Sequence, residues 1–256
     1  MTRKTRGRLS GKVAFLAGAT MGIGQATAEA FGAEGASVAV TGRRVAEGEA
    51  VVAAIRSAGG RAIFVATDVT DPDNVRRSIE ATVREYGRLD VLFNNAGGST
   101  PQDGKVTDAP DEEFWRALRL DLHGTWSCCK YGIPALIRSG GGSVINMASL
   151  AAISPTVGRD AYTSAKGAVV ALTRSMAREF AHERVRVNAL APGAVRTERI
   201  ARLLETVPGA RAIVAKQLLG LVEPAEVAAA AVFLAADESR TLTGQVIAIH
   251  GGAFES

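Results

Sequence analysis

Tyr162 and Lys166 stand four residues apart in a stretch with helical periodicity, so their side chains share one helix face. A free phenol ionises near pH 10, and a neighbouring ammonium favours the phenolate. Tyr162 is therefore a candidate general acid/base for a carbonyl or alcohol oxygen during hydride transfer. Ser149 follows the predicted strand Ser143–Met147, where its hydroxyl can hold the same oxygen. A Tyr/Lys pair alone is usually a packing pair, but this combination favours catalysis.

A glycine-rich turn between the predicted first strand and first helix favours a dinucleotide over a purely structural turn. Gly18 permits the tight turn, Gly22 lets backbone N–H groups approach a pyrophosphate, and Gly24 allows close helix–sheet packing. The helix N-terminus adds free donors and partial positive charge. The candidate cofactor residues of this turn are Gly18, Thr20, Met21, Gly22, Ile23 and Gly24.

The end of the predicted second strand bears on the choice of nucleotide. An acidic residue there would bind a ribose 2′-OH and repel a 2′-phosphate. The chain has Arg43 and Arg44 instead, whose guanidinium groups suit a phosphate. Two surface arginines at a helix start are the alternative interpretation. We expect NADP(H) to be favoured, with NAD(H) still open.

Apolar, β-branched runs alternate with helical stretches along the chain, which predicts an α/β fold: a three-layer, doubly wound Rossmann fold with a seven-stranded parallel sheet. The predicted strands are Val13–Ala17, Ser37–Thr41, Ala62–Ala66, Val91–Phe93, Ser143–Met147, Arg186–Leu190 and Val246–Ile249. The predicted helices are Gly22–Glu34, Val45–Ser57, Pro72–Tyr86, Asp111–Arg138, Asp160–Ala181 and Pro224–Ala236.

The formal charge of +4 comes from the N-terminus, because the first 11 residues hold four basic and no acidic side chains. The remaining 26 basic and 26 acidic residues balance, which argues against a nucleic-acid partner. We expect residues 1–10 to form a basic, disordered tail and residues 11–256 a single domain. The adjacent Cys128 and Cys129 form no redox or metal motif, and no signal or membrane-spanning run is visible. A cytoplasmic protein without metal or membrane partner is expected.

As a set, these motifs resemble the short-chain dehydrogenase/reductase family from Leu9 to Ala253. The resemblance rests on the glycine turn, Ser149, Tyr162-x-x-x-Lys166 and further short motifs in the same order. Those further motifs are Asp68-Val69, Asn94-Asn95-Ala96-Gly97, Asn188, Pro192-Gly193 and Leu242-Thr243-Gly244-Gln245. The resemblance implies an NAD(P)-dependent enzyme that acts on CH–OH groups of a small carbonyl or alcohol substrate, and a homotetramer.

The resemblance also implies roles that the residues alone do not reveal. Asp68 and Val69 would line the adenine, and Asn95, Ala96 and Gly97 would pass beside the adenosine ribose. Tyr162 and Lys166 would contact the cofactor as well, with Lys166 on the nicotinamide ribose. The nicotinamide contacts would be Pro192, Gly193, Val195 and Thr197. Residues Glu198–Leu219 would form a mobile lid over the substrate.

Three positions depart from the family pattern: Ala17 replaces a usual Thr, His250 replaces a usual Asp, and Asp121 replaces the catalytic Asn. That Asn holds a water largely through its backbone carbonyl, which Asp121 retains. An ionised Asp121 would favour charged Lys166 but oppose a Tyr162 phenolate. We expect Asp121→Asn to keep at least comparable activity and to alter its pH profile.

Two classes of function remain: an oxidoreductase that uses Tyr162, and a nucleotide-sensing protein that has lost catalysis. The intact Ser149, Tyr162 and Lys166 favour the enzyme. Apolar residues after Ser149 and Leu203, Leu204 and Leu218 in the lid favour an apolar ketone or alcohol. Arg159 or Arg199 can instead anchor an acidic group, so an acidic substrate or a 3-oxoacyl thioester is the alternative.

Overall fold

The computed structural model describes residues 7–206 and 214–253, and within them the chain alternates strands with helices. The strands are β1 Val13–Ala17, β2 Ser37–Gly42, β3 Arg61–Ala66, β4 Val91–Asn94, β5 Gly142–Met147, β6 Val185–Pro192 and β7 Val246–Ile249. The helices are α1 Gly22–Ala33, α2 Val45–Ser57, α3 Pro72–Tyr86, α4 Asp111–Ala117, α5 Gly124–Arg138, α6 Asp160–Glu179, α7 Glu198–Thr206 and α8 Pro224–Ala235. This alternation agrees with the predicted fold class.

The described strands form one seven-stranded parallel sheet in the order β3-β2-β1-β4-β5-β6-β7. The strand order reverses between β1 and β4, and open α/β sheets bind ligands outside the carboxyl ends of strands at such a point. The glycine turn follows β1, and Asn95 follows β4, so both lie at this crevice. The predicted doubly wound sheet is confirmed.

Helices cover both faces of the sheet, because the central strands are apolar on both sides. One buried cluster joins the sheet to α1, α2 and α8, and includes Phe31 and Phe93. The other joins it to α3, α5 and α6, and includes Phe15 and Leu136. Within the described ranges, no helix combines the length and apolar character needed to cross a membrane.

The predicted helix over 111–138 is interrupted. A π-helical segment, Leu118–His123, separates α4 from α5. Hydrophobic periodicity does not distinguish a π turn from an α turn, so the sequence gives no sign of it. The segment carries Asp121, whose side chain is fully buried. The interruption therefore lies where the chain departs from the family pattern.

The N-terminal residues 7–10 also differ from the expectation of a disordered tail. Leu9 is fully buried in the cluster that contains α1, and its backbone N–H donates to the Glu34 carbonyl. The Arg8 backbone N–H donates to the Glu34 carboxylate at 2.8 Å. The buried Leu9 side chain and the hydrogen bonds to Glu34 together hold these residues on the fold. The rest of the predicted tail, residues 1–6, lies outside the described residues.

Candidate active site

A cavity of about 990 Å³ opens at the carboxyl ends of the strands, large enough for a dinucleotide headgroup and a small substrate. Most of the predicted site residues line it. They are Gly18, Thr20, Met21, Gly22, Ile23, Arg43, Arg44, Asp68, Val69, Asn95, Ala96, Gly97, Ser149, Tyr162, Lys166, Pro192, Gly193, Val195 and Thr197. Gly24 and Asp121 are the two predicted residues that do not line it.

The glycine turn has the geometry that a bound pyrophosphate requires. Gly18 and Gly22 have φ of 73° and 56°, the left-handed region that glycine adopts without a Cβ penalty. A Cβ on Gly18 would stand 2.7 Å from Ala96 Cα, and one on Gly24 would overlap the Gly18 carbonyl oxygen. No side chain caps the N-terminus of α1, whose first turn holds no acidic residue. The free N–H groups of this turn fit an anionic phosphate.

Arg43 and Arg44 lie at the cavity wall after β2, as the sequence analysis expects. Arg43 Nη1 is 3.9 Å from Asp68 Oδ2, and Arg44 contacts the Met21 sulfur. Burial raises the pKa of Asp68, but hydrogen bonds from Thr70 and the Arg43 charge outweigh it, so that the pKa lies below its usual value. The exposed Arg43 guanidinium therefore lies near an ionised carboxylate at the cavity wall.

Helix α6 carries both Tyr162 and Lys166 into the cavity wall, and both side chains are nearly buried, with exposures of 8% and 3%. Lys166 Nζ lies 5.7 Å from the centroid of the Tyr162 ring, as the four-residue spacing predicts. The ammonium also donates to the Met147 carbonyl at 2.7 Å. Ser149 lies two residues beyond that carbonyl, and its hydroxyl oxygen accepts the Ala151 N–H at 3.2 Å. A hydroxyl, a phenol and an ammonium thus share one wall.

Asp121 lies behind Lys166 and contacts it directly. Its Oδ1 is 3.0 Å from Lys166 Nζ and accepts the Gly98 N–H at 2.9 Å. Its Oδ2 has no hydrogen-bond partner among the described residues. The Asp121 carbonyl accepts the Thr125 hydroxyl at 2.8 Å. The carboxylate is therefore a fully buried counter-charge for Lys166, in line with the expectation that Asp121 favours the charged lysine.

Asp103 positions Tyr162 from a loop far away in sequence. Its carboxylate accepts the N–H groups of Ala161 and Tyr162 at 3.2 and 3.0 Å, and the Gly104 carbonyl accepts the Asp160 N–H. These bonds satisfy the first turn of α6, whose N-cap Arg159 makes no side-chain capping bond. Asp103 escaped the sequence analysis, since no local pattern links it to α6.

The loop after β4 is fixed by a second ion pair. Arg116 donates to both Glu113 oxygens at 2.7 and 2.8 Å and to the Gly98 carbonyl at 3.0 Å. Hydrogen bonds from Arg116 lower the pKa of Glu113 below its usual value, although burial opposes them. Gly98 is thereby held at its N–H by Asp121 and at its carbonyl by Arg116.

The predicted lid is only partly described: α7 covers Glu198–Thr206, and residues 207–213 lie outside the described residues. Leu203 lines the cavity as expected, whereas Leu204 and Leu218 do not. Thr197 approaches the glycine turn, because a Cβ on Gly22 would stand 3.2 Å from Thr197 Cγ2. Gln217, which the sequence analysis missed, binds the Ala194 N–H and carbonyl and thereby fixes the segment after β6.

Two further positions singled out in the sequence, Asn188 and His250, have structural contacts. Asn188 donates to the Leu242 carbonyl at 2.9 Å and accepts the Gln245 N–H at 3.0 Å, which fixes the approach to β7. His250 is nearly buried beside Gly193, where an added Cβ would stand 3.1 Å from His250 Cβ. Among the described residues, no cluster of His, Cys, Asp and Glu has a geometry that could hold a metal ion.

Comparison with known proteins adds three findings. A family model described as enoyl-(acyl carrier protein) reductase matches residues 18–253. A curated relative, the 3-oxoacyl-[acyl-carrier-protein] reductase FabG of Thermotoga maritima, is 35% identical over 96% of this chain and 98% of its own length. The 2,5-dichloro-2,5-cyclohexadiene-1,4-diol dehydrogenase of Sphingobium indicum is 38% identical over 95% and 97%.

A solved structure has the same fold over nearly the whole length of this chain. The structure of a short-chain type dehydrogenase/reductase from Mycobacterium ulcerans superposes with a TM-score of 0.91 at 31% identity, covering 96% of this chain and 90% of that chain.

Proposed function

The chain belongs to the short-chain dehydrogenase/reductase family, and from this premise we propose that it is an NADP(H)-dependent oxidoreductase of a carbonyl/secondary-alcohol pair. The observation that carries the proposal is the single wall formed by Ser149, Tyr162 and Lys166 at the crevice. The buried pair of Lys166 and Asp121 holds this wall in place. A nucleotide-sensing protein would not need a buried ammonium beside a phenol.

The proposed chemistry follows from the atoms on that wall. When bound, the nicotinamide supplies or accepts the hydride. In reduction, the Ser149 hydroxyl donates a hydrogen bond to the carbonyl oxygen, and Tyr162 Oη gives up its proton to the oxygen. The Lys166 ammonium stabilises the phenolate that remains. In oxidation, Tyr162 takes the proton from the alcohol. The side chains of α7 exclude water from the reacting atoms.

The proposed cofactor site uses the residues that line the rest of the cavity. The α1 turn binds the pyrophosphate, and Arg43 and Arg44 bind the 2′-phosphate. Asp68 and Val69 hold the adenine, while the segment Asn95–Gly97 passes beside its ribose. Support comes from the absence of any acidic residue at the end of β2. An NAD(H)-dependent enzyme of the same family is the alternative, which the ratio of NADPH to NADH turnover decides.

The proposed substrate is a mainly apolar ketone or secondary alcohol. The wall near Ser149 and the lid contribute Ala151, Pro155, Val157, Ile200 and Leu203 to the cavity. The two curated relatives described above act on a 3-oxoacyl thioester and on a six-membered ring diol, by their names. A panel of ring ketones, 3-oxoacyl thioesters, steroids and polyols, followed at 340 nm with each nucleotide, tests this class.

Tyr162→Phe is the decisive variant. We expect turnover to fall by at least about 100-fold, since general acid–base catalysis contributes that much or more, while NADPH binding measured by fluorescence is preserved. Tyr131→Phe on α5, outside the cavity lining, is the matched control and should retain full activity. Retained turnover in Tyr162→Phe would refute the assignment.

We also propose a homotetramer. The aromatic side chains of Trp115 on α4 and Trp126 on α5 are 54% and 52% exposed, which is unusual for indole rings unless another surface covers them. Light scattering after size exclusion measures the mass directly. A monomeric mass at micromolar concentration would contradict the proposal.

A further inference from the structure

The substrate end of the cavity carries positive charge that no acidic lining residue balances. Arg159, Lys166 and Arg199 line the cavity, whereas Asp68, beside Arg43, is the one acidic side chain in its described lining. Lys166 is neutralised from behind by Asp121. A cavity lined with cations of this kind attracts an anionic ligand.

Arg159 and Arg199 differ from the arginines around them in their contacts. Neither makes a side-chain hydrogen bond or an ion pair with any residue in the described ranges. By contrast, Arg196 lies 2.6 Å from Glu223, and Arg202, on the same helix as Arg199, lies 3.3 Å from Glu198. None of the four residues in those pairs lines the cavity. Arg159 and Arg199 thus keep their donors available within the cavity.

Both guanidinium groups belong to elements that form the catalytic wall. Arg159 immediately precedes α6 as its N-cap residue, three positions before Tyr162, and both residues line the cavity. Arg199 lies on α7, and its guanidinium rests against Gly98. A Cβ on Gly98 would overlap the guanidinium, and a Cβ on Gly97 would stand 3.1 Å from Lys166 Nζ. Two consecutive glycines therefore let Arg199 and Lys166 approach the same stretch of backbone.

We propose that Arg159 and Arg199 bind a carboxylate of the substrate, which is then a ketone or secondary alcohol that also carries an acidic group. A guanidinium presents paired N–H donors that match the two oxygens of a carboxylate. Arg159 holds the anion beside Tyr162, and Arg199 closes over it from α7. This inference rests on the proposed function, because it assigns the substrate of the same site.

The test compares two substrates that differ only in charge, 4-oxocyclohexanecarboxylate and 4-oxocyclohexanecarboxamide. Wild-type protein and the variants Arg159→Gln, Arg199→Gln and Arg199→Lys are assayed with saturating NADPH. Arg202→Gln on the same helix is the control. In parallel, the corresponding 4-hydroxy acid and 4-hydroxy amide are titrated into the protein–NADPH complex by calorimetry, which reports binding without turnover.

We expect the wild type to favour the carboxylate by more than about tenfold in kcat/KM, since a hydrogen bond to a charged group is worth about 1.5–3 kcal/mol. Each Gln variant should raise KM for the carboxylate by about tenfold or more and leave the carboxamide within twofold. Arg199→Lys should recover part of the loss, and Arg202→Gln should behave as wild type.

Equal use of the two ketones by the wild type would overturn the inference and leave the proposed function standing. A Gln variant at position 199 that raises KM for NADPH but not for the carboxylate would also overturn it, because the cation would then serve the cofactor phosphates. Charge-selective binding without turnover of either ketone would support the anion site and count against the proposed function. Absence of charge-selective binding overturns the inference in every case.

Discussion

Asp121→Asn isolates the effect of one buried charge on the candidate general acid/base. The substitution keeps the size of the side chain and an oxygen for the two donors that Asp121 Oδ1 accepts, Lys166 Nζ and the Gly98 N–H. It removes the negative charge and places an NH₂ group where Oδ2 now has no partner within the described residues. Asp103, whose carboxylate binds the Tyr162 N–H, is unchanged in the variant.

The size of the effect follows from two distances. Asp121 Oδ1 lies 3.0 Å from Lys166 Nζ, which lies 5.7 Å from the Tyr162 ring centroid, so the carboxylate is within about 9 Å of the ring. At an effective dielectric constant of about 20, two unit charges at that distance interact by about 2 kcal/mol. Tyr162 donates the proton in ketone reduction, so activity is lost as the pH rises through its pKa. Since about 1.4 kcal/mol corresponds to one pH unit, removing the repulsion should move the basic limb of the ketone-reduction profile to lower pH by about one unit.

The assay is log(kcat/KM) against pH for the best ketone at saturating NADPH, with unfolding followed in parallel. We expect activity near pH 7 to be at least comparable with that of the wild type. Glu112→Gln removes an exposed carboxylate from the neighbouring α4 and should leave the profile unchanged. Complete loss of activity in a folded Asp121→Asn protein would refute this reasoning, as would a profile that does not move.

Three further predictions concern other parts of the molecule. Arg43→Ala and Arg44→Ala should each lower the ratio of kcat/KM for NADPH to kcat/KM for NADH by about 10- to 150-fold, because each removes one charge-assisted hydrogen bond. Arg84→Ala, at an exposed position, is the control. An effect no larger than that of the control would contradict the 2′-phosphate site. Burial raises the pKa of Cys129 to about 12 and that of Cys128 still further, so thiol titration of the native protein at pH 8 should find neither residue reactive, and rapid labelling would contradict their placement. Glu113→Gln should lower the free energy of unfolding by about 1–3 kcal/mol at pH 7 in urea titrations. Because the folded-state pKa of Glu113 lies below its ordinary value of 4.5, the Arg116 contribution is present above that value and lost as the pH falls through the folded pKa, so wild type and variant should converge in acid.

The sequence predicts those features that depend on neighbours along the chain. The alternation of apolar runs predicts the sheet, and the spacing of Tyr162 and Lys166 predicts their contact. Gly18 and Gly22 adopt the positive φ that a tight turn requires. In each case the structure is decided by residues close together in the chain, so the pattern can be recognised in the amino-acid sequence.

Features that depend on distant contacts were not predictable in this way. The π turn that holds Asp121 is decided by what packs around it, since its residues also suit an ordinary helix. Asp103 gains its role from a helix that begins almost sixty residues later. Leu9 joins the fold because a pocket beside α1 receives it, and its neighbour Arg8 pairs with Glu238, which lies far along the chain.

The contact between Asp103 and Tyr162 has a consequence for how the site is assembled. The two residues are 59 positions apart, and a loop of that length must close before the first turn of α6 receives its two acceptor bonds. Secondary structure and the local glycine turn require no such closure. During refolding, catalytic activity should therefore appear after most of the helix content has formed. The last step is then the docking of the loop after β4, which carries Asp103, onto the first turn of α6. A nascent chain that has not yet reached α6 contains every residue of the glycine turn, but it lacks the helix that places Tyr162.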